Sequence, residues 1–316
     1  MAVFLKENDV DRLVGIREAI DILRDAFRME SEGGARILPR SRIRSVDGTL
    51  NVMASTIDDL SVSGLKAYFG GRGGVSFVVI LFSTKECRTL AVIEAGRLGQ
   101  IRTGAMSGLV TDIMAVRDAH LLGCIGTGYQ AETQVEAVAA VRDINKIIVW
   151  SRTAENRRKF AARMRDKLGI DTIPAESVSG LKRCDVLITA TSSRTPVIPA
   201  SDVPDTCHIN AIGANRMESK ELETETVCSA GRIVVDSIEQ AKHEARDIVD
   251  AVSAACLDWS DITEVHELVS GHAKKIKGRE NGITIFKSLG IAIEDVALGK
   301  YVYDRAIKTG IGTELQ

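Results

Sequence analysis

With 316 residues the chain is long enough for two domains, and its 45% apolar content is that of an ordinary globular protein with full cores. A formal net charge of −2 gives no electrostatic reason to expect nucleic acid or a membrane as a partner. No apolar run approaches the roughly 20 residues that span a bilayer.

The first residues, Met1-Ala2-Val3-Phe4-Leu5-Lys6, lack the basic start and long apolar core of a signal peptide. Residues 8–32 carry Ile16, Ile20, Leu23 and Phe27 at helical spacing, and Gly33-Gly34 ends that amphipathic helix. Pro39-Arg40-Ser41-Arg42-Ile43-Arg44 alternates as a strand with arginines on one face. Residues 49–54 and 64–69 are short strands. In the second, Leu65 and Ala67 point one way and Lys66 and Tyr68 the other. Gly70-Gly71-Arg72-Gly73-Gly74 is expected as a flexible loop, residues 75–82 as an apolar strand and 89–93 as its hairpin partner. The first part is therefore a helix on a mostly antiparallel sheet. Residues 99–116 are helical, with Ile101, Ala105 and Leu109 spaced for burial. The small residues among Arg102-Thr103-Gly104-Ala105-Met106-Ser107-Gly108 let a cofactor or another backbone approach closely. The domain boundary is expected near Asp118.

Beyond it the pattern changes to strand–helix–strand. Residues 121–125 are a short apolar strand, Gly126-Thr127-Gly128 a sharp turn, and Tyr129-Gln130-Ala131 lead into a helix reaching Arg142. Gly-x-Gly-x-x-Ala between a strand and a helix is a dinucleotide-binding fingerprint. Gly126 permits the turn, Gly128 lets a pyrophosphate approach the backbone, and Ala131 lets helix and strand pack closely. Residues 146–150, 185–190, 207–212 and 232–235 read as further strands, 154–168 as a helix, 283–287 as a late strand and 291–307 as a final helix. The strands end in polar or small clusters: Ala190-Thr191-Ser192-Ser193, Ile212-Gly213-Ala214-Asn215 and Asp236-Ser237. In a parallel sheet these ends line the cofactor crevice.

The second strand of the fingerprint ends Trp150-Ser151-Arg152-Thr153, with Arg157 one turn on and no carboxylate. A carboxylate there would hold the ribose 2′-hydroxyl of NAD. Two hydroxyls and guanidinium groups suit a 2′-phosphate, so NADP(H) is favoured over NAD(H). The six cysteines (Cys87, Cys124, Cys184, Cys207, Cys228, Cys256) are far apart with no Cys-x-x-Cys, so a cytoplasmic protein with reduced, buried thiols is expected. The five histidines show no ligand spacing, no metal site is expected, and His208 reads as a strand histidine.

Several segments together resemble the ornithine cyclodeaminase/mu-crystallin family, including its archaeal-type alanine dehydrogenase and ketimine reductase branches. They are Gly64-Leu65-Lys66, Arg102-Thr103-Gly104-Ala105, Ile125-Gly126-Thr127-Gly128-Tyr129-Gln130, His208-Ile209-Asn210-Ala211-Ile212-Gly213-Ala214 and the run from Ile283 through Ser288-Leu289-Gly290 to Ala292. The resemblance implies an α/β chain: a doubly wound Rossmann sheet over 119–290, and an α+β substrate and dimerisation domain over 1–118 completed by 291–316. It implies a homodimer. It places Arg40, Lys66 and Arg102 on the substrate carboxylate, with Leu289 also in the substrate site. Ser76, Arg102, Ser288 and Gly290 fall with the cofactor set, Ser76 where members often have Thr near the nicotinamide. The segment 70–76 looks shorter than in typical members.

Physical reasoning fits these roles. A guanidinium grips a carboxylate through two hydrogen bonds. A lysine whose pKa is lowered by burial and neighbouring cations can protonate or polarise the reacting group. Arg42, Arg44 or Arg72 could add a further cation for a second carboxylate. One departure matters: cyclodeaminases and alanine dehydrogenases of the family carry Asp where this chain has Asn215. Asn215 can orient a nitrogen or a water, but it cannot act as a base. The expected activity is therefore NAD(P)H-dependent reduction of the C=N bond of an α-imino acid to an L-amino acid. The imine forms from a 2-oxo acid plus ammonia or arrives as a ketimine. The alternatives are a cyclodeaminase-type lyase with catalytic NAD, and an NADPH-binding protein without turnover.

Overall fold

The computed structural model describes residues 2–274 and 282–315. The chain divides into two compact units, Met1–Ala105 with Gly290–Gln316, and Met106–Leu289. The boundary expected near Asp118 falls earlier, inside a helix. An unbroken helix carries the chain from one unit to the next, so no turn residue marks the passage. Among the described residues no helix is long and apolar enough to cross a membrane.

The first unit opens with β1 (Ala2–Leu5), too short for alternation to reveal. The single helix expected over 8–32 is two, α1 (Glu7–Leu13) and α2 (Ile16–Ser31). Val14 is extended at φ −149°. Gly15, a poor helix former, becomes the N-cap of α2 and donates its N–H to Glu18 Oε2 at 3.0 Å. Then come β2 (Ala35–Arg44), β3 (Gly48–Ile57), β4 (Val62–Gly71), β5 (Gly74–Ser83) and β6 (Arg88–Glu94), each antiparallel to the next. The flexible loop expected at 70–74 is a tight hairpin. Gly71 pairs with Gly74, and only Arg72 and Gly73 turn. α3 (Gly96–Met114) follows.

The second unit contains β7 (Leu121–Ile125), α4 (Tyr129–Val141), β8 (Lys146–Trp150), α5 (Ala154–Leu168), β9 (Asp171–Pro174), β10 (Val186–Thr189), β11 (His208–Ala211), α6 (Thr224–Ser229), β12 (Arg232–Val235), α7 (Ile238–Glu244), α8 (Arg246–Ser253), β13 (Thr263–Glu264), α9 (Val265–Val269) and β14 (Thr284–Lys287). Its sheet runs β13-β12-β14-β11-β10-β7-β8-β9, and every pairing is parallel. Successive side chains serve opposite faces. Val186 and Ile188 pack with Phe160 and Met164 on one side, while Leu187 packs with Ile209 and Ile233 on the other. This is a doubly wound Rossmann sheet. The strand order reverses between β7 and β10, where ligands bind in such folds.

α10 (Ala292–Thr309) and β15 (Thr313–Leu315) return to the first unit. Its sheet runs β15-β1-β6-β5-β4-β3-β2, and α10 lies against β2 to β5. The expectation of reduced thiols needs one correction: Cys228 and Cys256 form a disulfide, with Cα atoms 5.5 Å apart. α6 and the segment after α8 pack side by side, which a separation of 28 residues hides in the sequence. Cys124, Cys184 and Cys207 are buried free thiols, the first two pushed up to about 12 by burial. His208 is a core histidine, pushed down to about 3 by burial, with Nδ1 2.9 Å from Thr284 Oγ1. Among the described residues no group of three His, Cys, Asp or Glu could hold a metal ion.

Candidate active site

The first unit gathers cations on the sheet face that α10 covers. Leu38 pairs with Ala54 and Ser41 with Val52, so Pro39 and Arg40 together oppose Met53 in a bulge. Pro39 has no N–H for the ladder, which suits that position. Arg40 reaches inward, where its Nη2 donates to Gly290 O at 2.7 Å and lies 3.9 Å from Met53 Sδ. Met53 pairs across β3 and β4 with Lys66. One cross-strand row therefore carries Arg40, buried Met53 and Lys66 in sequence.

Lys66 is 2% exposed. Its Nζ donates to Asp295 Oδ1 at 2.7 Å and sits 5.3 Å from the centre of the Phe77 ring. Burial pulls its pKa down to about 8, against the pull of Asp295 and with the help of Arg102 and Arg40. α3 brings Arg102, whose Nη1 donates to Glu294 Oε2 at 2.7 Å and whose Nε lies 3.5 Å from Asp295 Oδ1. Burial raises the Glu294 pKa, and neighbouring Asp295 adds to this against Arg102. Two glycines make room. A Cβ on Gly99 would come within 2.9 Å of Lys66 Nζ, so α3 passes close to the lysine at that glycine. Gly290 has φ +75°, and a Cβ there would lie 2.3 Å from Arg102 Nη1.

The structure thus brings Arg40, Lys66 and Arg102 together. Arg42, Arg44 and Arg72 stay exposed, and Arg42 bonds Asn51 Oδ1 at 3.2 Å. The carboxylates that organise the cluster, Glu294 and Asp295, were not anticipated from sequence. Two acids in the first turn of a helix read as ordinary partners of the helix dipole. Their place inside the otherwise apolar run from Ile291 to Leu298 was the available signal. Ser76 is exposed on β5 opposite Phe69.

In the second unit a cavity of about 480 Å³ opens at the carboxyl ends of β7, β8 and β10. Of the expected cofactor residues, Gly126, Thr127, Gly128, Ser151, Arg152, Thr153, Ala190, Thr191 and Ser192 line it. Ser193 of the expected strand-end cluster lines it too, and Asn156, Thr195, Pro196 and Val197 join them unanticipated. Gly126 has φ +111°, and a Cβ would meet Ala190 O at 2.3 Å, so glycine alone allows the turn against β10. A Cβ on Gly128 would meet nothing within 4 Å. That open space, at the N-cap of α4 where no side chain caps the helix, fits a pyrophosphate held by backbone N–H groups. The residues present therefore fit a dinucleotide.

Arg157 departs from expectation. It is 8% exposed and braces the loop, donating from Nη1 to Ser151 O at 3.0 Å and from Nη2 to Glu176 Oε2 at 2.9 Å. It does not line the cavity; Arg152, exposed at the rim, does. Tyr129, Gln130, Ile212, Gly213, Ser288 and Leu289 also lie outside its lining. Tyr129 is 60% exposed on the first turn of α4. Leu289 donates its N–H to Asp236 Oδ2. Asn215 is half-buried in the loop after β11.

A buried acid that sequence reading missed, Glu221, ties the cavity loops. Its carboxylate accepts from Thr189 Oγ1, from Thr191 N and Oγ1, and from Gly213 N, at 2.7–2.9 Å. Its own N–H is held by Asp247, which pairs with Lys287 at 3.0 Å. Burial opposes the ionisation of Asp247, but Lys287 and the N–H groups of Leu222 and Glu221 prevail and hold its pKa below the usual range.

The ornithine cyclodeaminase/mu-crystallin family model matches residues 1–310. Alanine dehydrogenase of Archaeoglobus fulgidus is 33% identical, covering 99% of this chain and 98% of its own. Delta(1)-pyrroline-2-carboxylate reductase of Bacillus cereus is 34% identical over 99% of both chains. The Thermococcus litoralis reductase of the same name, solved with NADH and L-proline, superposes with a TM-score of 0.93 at 32% identity, over 99% of this chain and 100% of that one. An archaeal alanine dehydrogenase dimer with bound NAD gives 0.92 at 32% identity, over 100% and 99%. These relatives carry the names of oxidoreductases. The chain belongs to the ornithine cyclodeaminase/mu-crystallin family.

Proposed function

We propose that the chain is an NAD(P)H-dependent oxidoreductase that reduces the C=N bond of an α-imino acid to an amino acid, with NADP(H) preferred. The observation that carries the reading is the buried Lys66, brought to a pKa of about 8 beside Arg40 and Arg102. A substrate carboxylate pairs with the guanidinium groups. The Lys66 ammonium donates a proton to the imine nitrogen, which makes the adjoining carbon more electrophilic. The bound reduced nicotinamide supplies the hydride to that carbon. The sum is imino acid, NAD(P)H and one proton giving amino acid and NAD(P)⁺. A depressed lysine pKa suits this role, since the donor is charged at neutral pH and releases its proton readily.

NADP(H) preference rests on Ser151, Arg152 and Thr153 at the cavity rim and on the missing carboxylate there. The Thermococcus litoralis reductase was solved with NADH and the archaeal alanine dehydrogenase dimer with NAD, so the two cofactors are to be compared directly. A homodimer is supported by the sheet face turned away from α10. There Leu38 is 58% exposed, Phe69 42% and Phe82 38%, an apolar patch suited to a second copy. Sedimentation at the concentration of assay would measure it.

The test is nicotinamide absorbance against time, with NADPH or NADH and a panel of Delta(1)-pyrroline-2-carboxylate, and of ammonium with pyruvate, oxaloacetate, glyoxylate or 2-oxoglutarate. Oxidation with one member is expected and names the substrate. Inactivity across the panel, with ammonia released from ornithine, would move the assignment to the lyase. Tight NADPH binding without either reaction would leave a binding protein. Asn215 favours the reductase over the lyase, because it lacks the carboxylate that cyclodeaminases carry; Asn215→Asp is expected to gain ammonia release from ornithine.

A further inference from the structure

We propose that Asp295 is the positioning residue of this site, holding Lys66 charged and aimed through a direct ion pair. The inference rests on the reading of Lys66 as proton donor. The two residues come from β4 and α10, 229 positions apart, and meet at 2.7 Å with side chains 2% and 0% exposed. A buried ion pair adds little net stability over an apolar pair of similar size. Packing alone gives no reason for one here, on a helix face that Asp295 shares with the buried apolar Ala292, Leu298 and Val302. The second carboxylate oxygen, Asp295 Oδ2, is buried without a hydrogen-bond partner. An uncompensated oxygen is costly in a core that exists only to be stable.

The groups facing Lys66 come from four elements. Asp295 lies on α10, Arg102 on α3 with Glu294 as its own partner, Arg40 on β2, and the Phe77 ring on β5. Burial and the two guanidinium groups favour the neutral amine, and Asp295 opposes them. Without that carboxylate the lysine would lose its proton near neutral pH and its amine would be free to turn. With it, Nζ stays charged and directed while it gives a proton to the imine nitrogen and takes one back from solvent. Asp295 accepts the hydrogen bond from Nζ and so fixes its direction.

The experiment compares wild type, Asp295→Asn, Asp295→Glu and Lys66→Ala over pH 5.5 to 9.5. The assay uses NADPH with Delta(1)-pyrroline-2-carboxylate and with pyruvate plus ammonium. Wild-type kcat is expected to fall as pH rises through about 8. In Asp295→Asn that fall should move down by roughly 1–3 pH units, the usual effect of removing an adjacent opposite charge. kcat at pH 7.5 should drop about tenfold or more, and KM for NADPH should stay within about twofold. Asp295→Glu keeps the charge, so its fall should stay near wild type while kcat drops through misplacement of Nζ.

A pH-independent loss in Asp295→Asn would make Asp295 merely structural and overturn the inference, while a slow Lys66→Ala would leave the donor reading intact. Full turnover by Lys66→Ala would instead overturn the donor reading and the inference with it. If Asp295→Asn does not fold, Asp295→Glu decides: kcat and profile both unchanged would overturn the proposal.

Discussion

The two units build their sites from opposite materials. The nucleotide cavity is made largely of backbone and small side chains, most of its expected residues coming from the strand ends at 126–128, 151–153 and 190–192. The cation cluster is made of buried charges, and each is held by a group far along the chain: Lys66 by Asp295, Arg102 by Glu294, Arg40 by Gly290 O. A backbone site survives the loss of most single side chains but not of a turn. A charged site fails with one side chain, because its partner is then left buried and unpaired. Substitutions in the two places should therefore fail in different ways.

The largest effect is expected from Lys66→Ala. General acid catalysis by a positioned group contributes about 10²–10⁴-fold, so kcat in the absorbance assay should fall by that range with cofactor binding unchanged. Full turnover by this variant would remove the mechanism. Arg40→Ala comes next. Charged hydrogen bonds contribute about 1.5–3 kcal/mol, so KM for the imino acid should rise about 10- to 150-fold with a smaller change in kcat. An unchanged KM would show that the carboxylate is held elsewhere.

Gly126 and Gly128 sharpen the contrast within the cavity itself. At Gly126, alanine meets both an unfavourable φ of +111° and the Ala190 carbonyl. Strain of about 1–3 kcal/mol from the backbone alone should lower Tm. At Gly128, alanine has open space and an ordinary φ of −82°. The protein should fold as before, yet the added methyl occupies the place assigned to the pyrophosphate, so NADPH should bind about tenfold more weakly by fluorescence titration. If Gly128→Ala bound NADPH normally, the phosphate position would be wrong.

The same contrast explains what could be read in advance. Strands β8 and β12 and helix α5 stand where apolar periodicity put them, because a parallel sheet buries continuous apolar runs and its turns have local signatures. The turn at Gly126 was legible for the same reason. Arg40, Lys66 and Arg102 were reached through family resemblance and not through pattern, since a lysine in an alternating strand reads as solvated. What buries Lys66 is α10, more than two hundred residues on. Glu294, Asp295 and Glu221 were missed because a carboxylate's partner is a tertiary fact. The disulfide joining Cys228 and Cys256 was missed for that reason too. Arg157 was misread because one helical turn of spacing places it near the β8 loop without saying whether it faces ligand or brace. The break at Gly15 and the hairpin at Arg72 and Gly73 show the limit of local rules: glycine reads as flexibility whether it caps a helix or closes a turn.

The smallest effect concerns Arg152, and its size follows from its exposure. Arg152 lies at the cavity rim in solvent, where a pair with a phosphate is screened and contributes roughly 0.2–1 kcal/mol. Arg152→Ala should therefore weaken NADPH by about two- to fivefold and leave NADH untouched, and raising the salt should erase the difference in wild type. Buried Arg157 cannot substitute for it, since its guanidinium already holds Ser151 O and Glu176. An equal loss for both cofactors would mean that Arg152 touches the shared part of the dinucleotide. The preference for NADP(H) would then have to come from Ser151 and Thr153, whose hydroxyls offer a 2′-phosphate hydrogen bonds without charge.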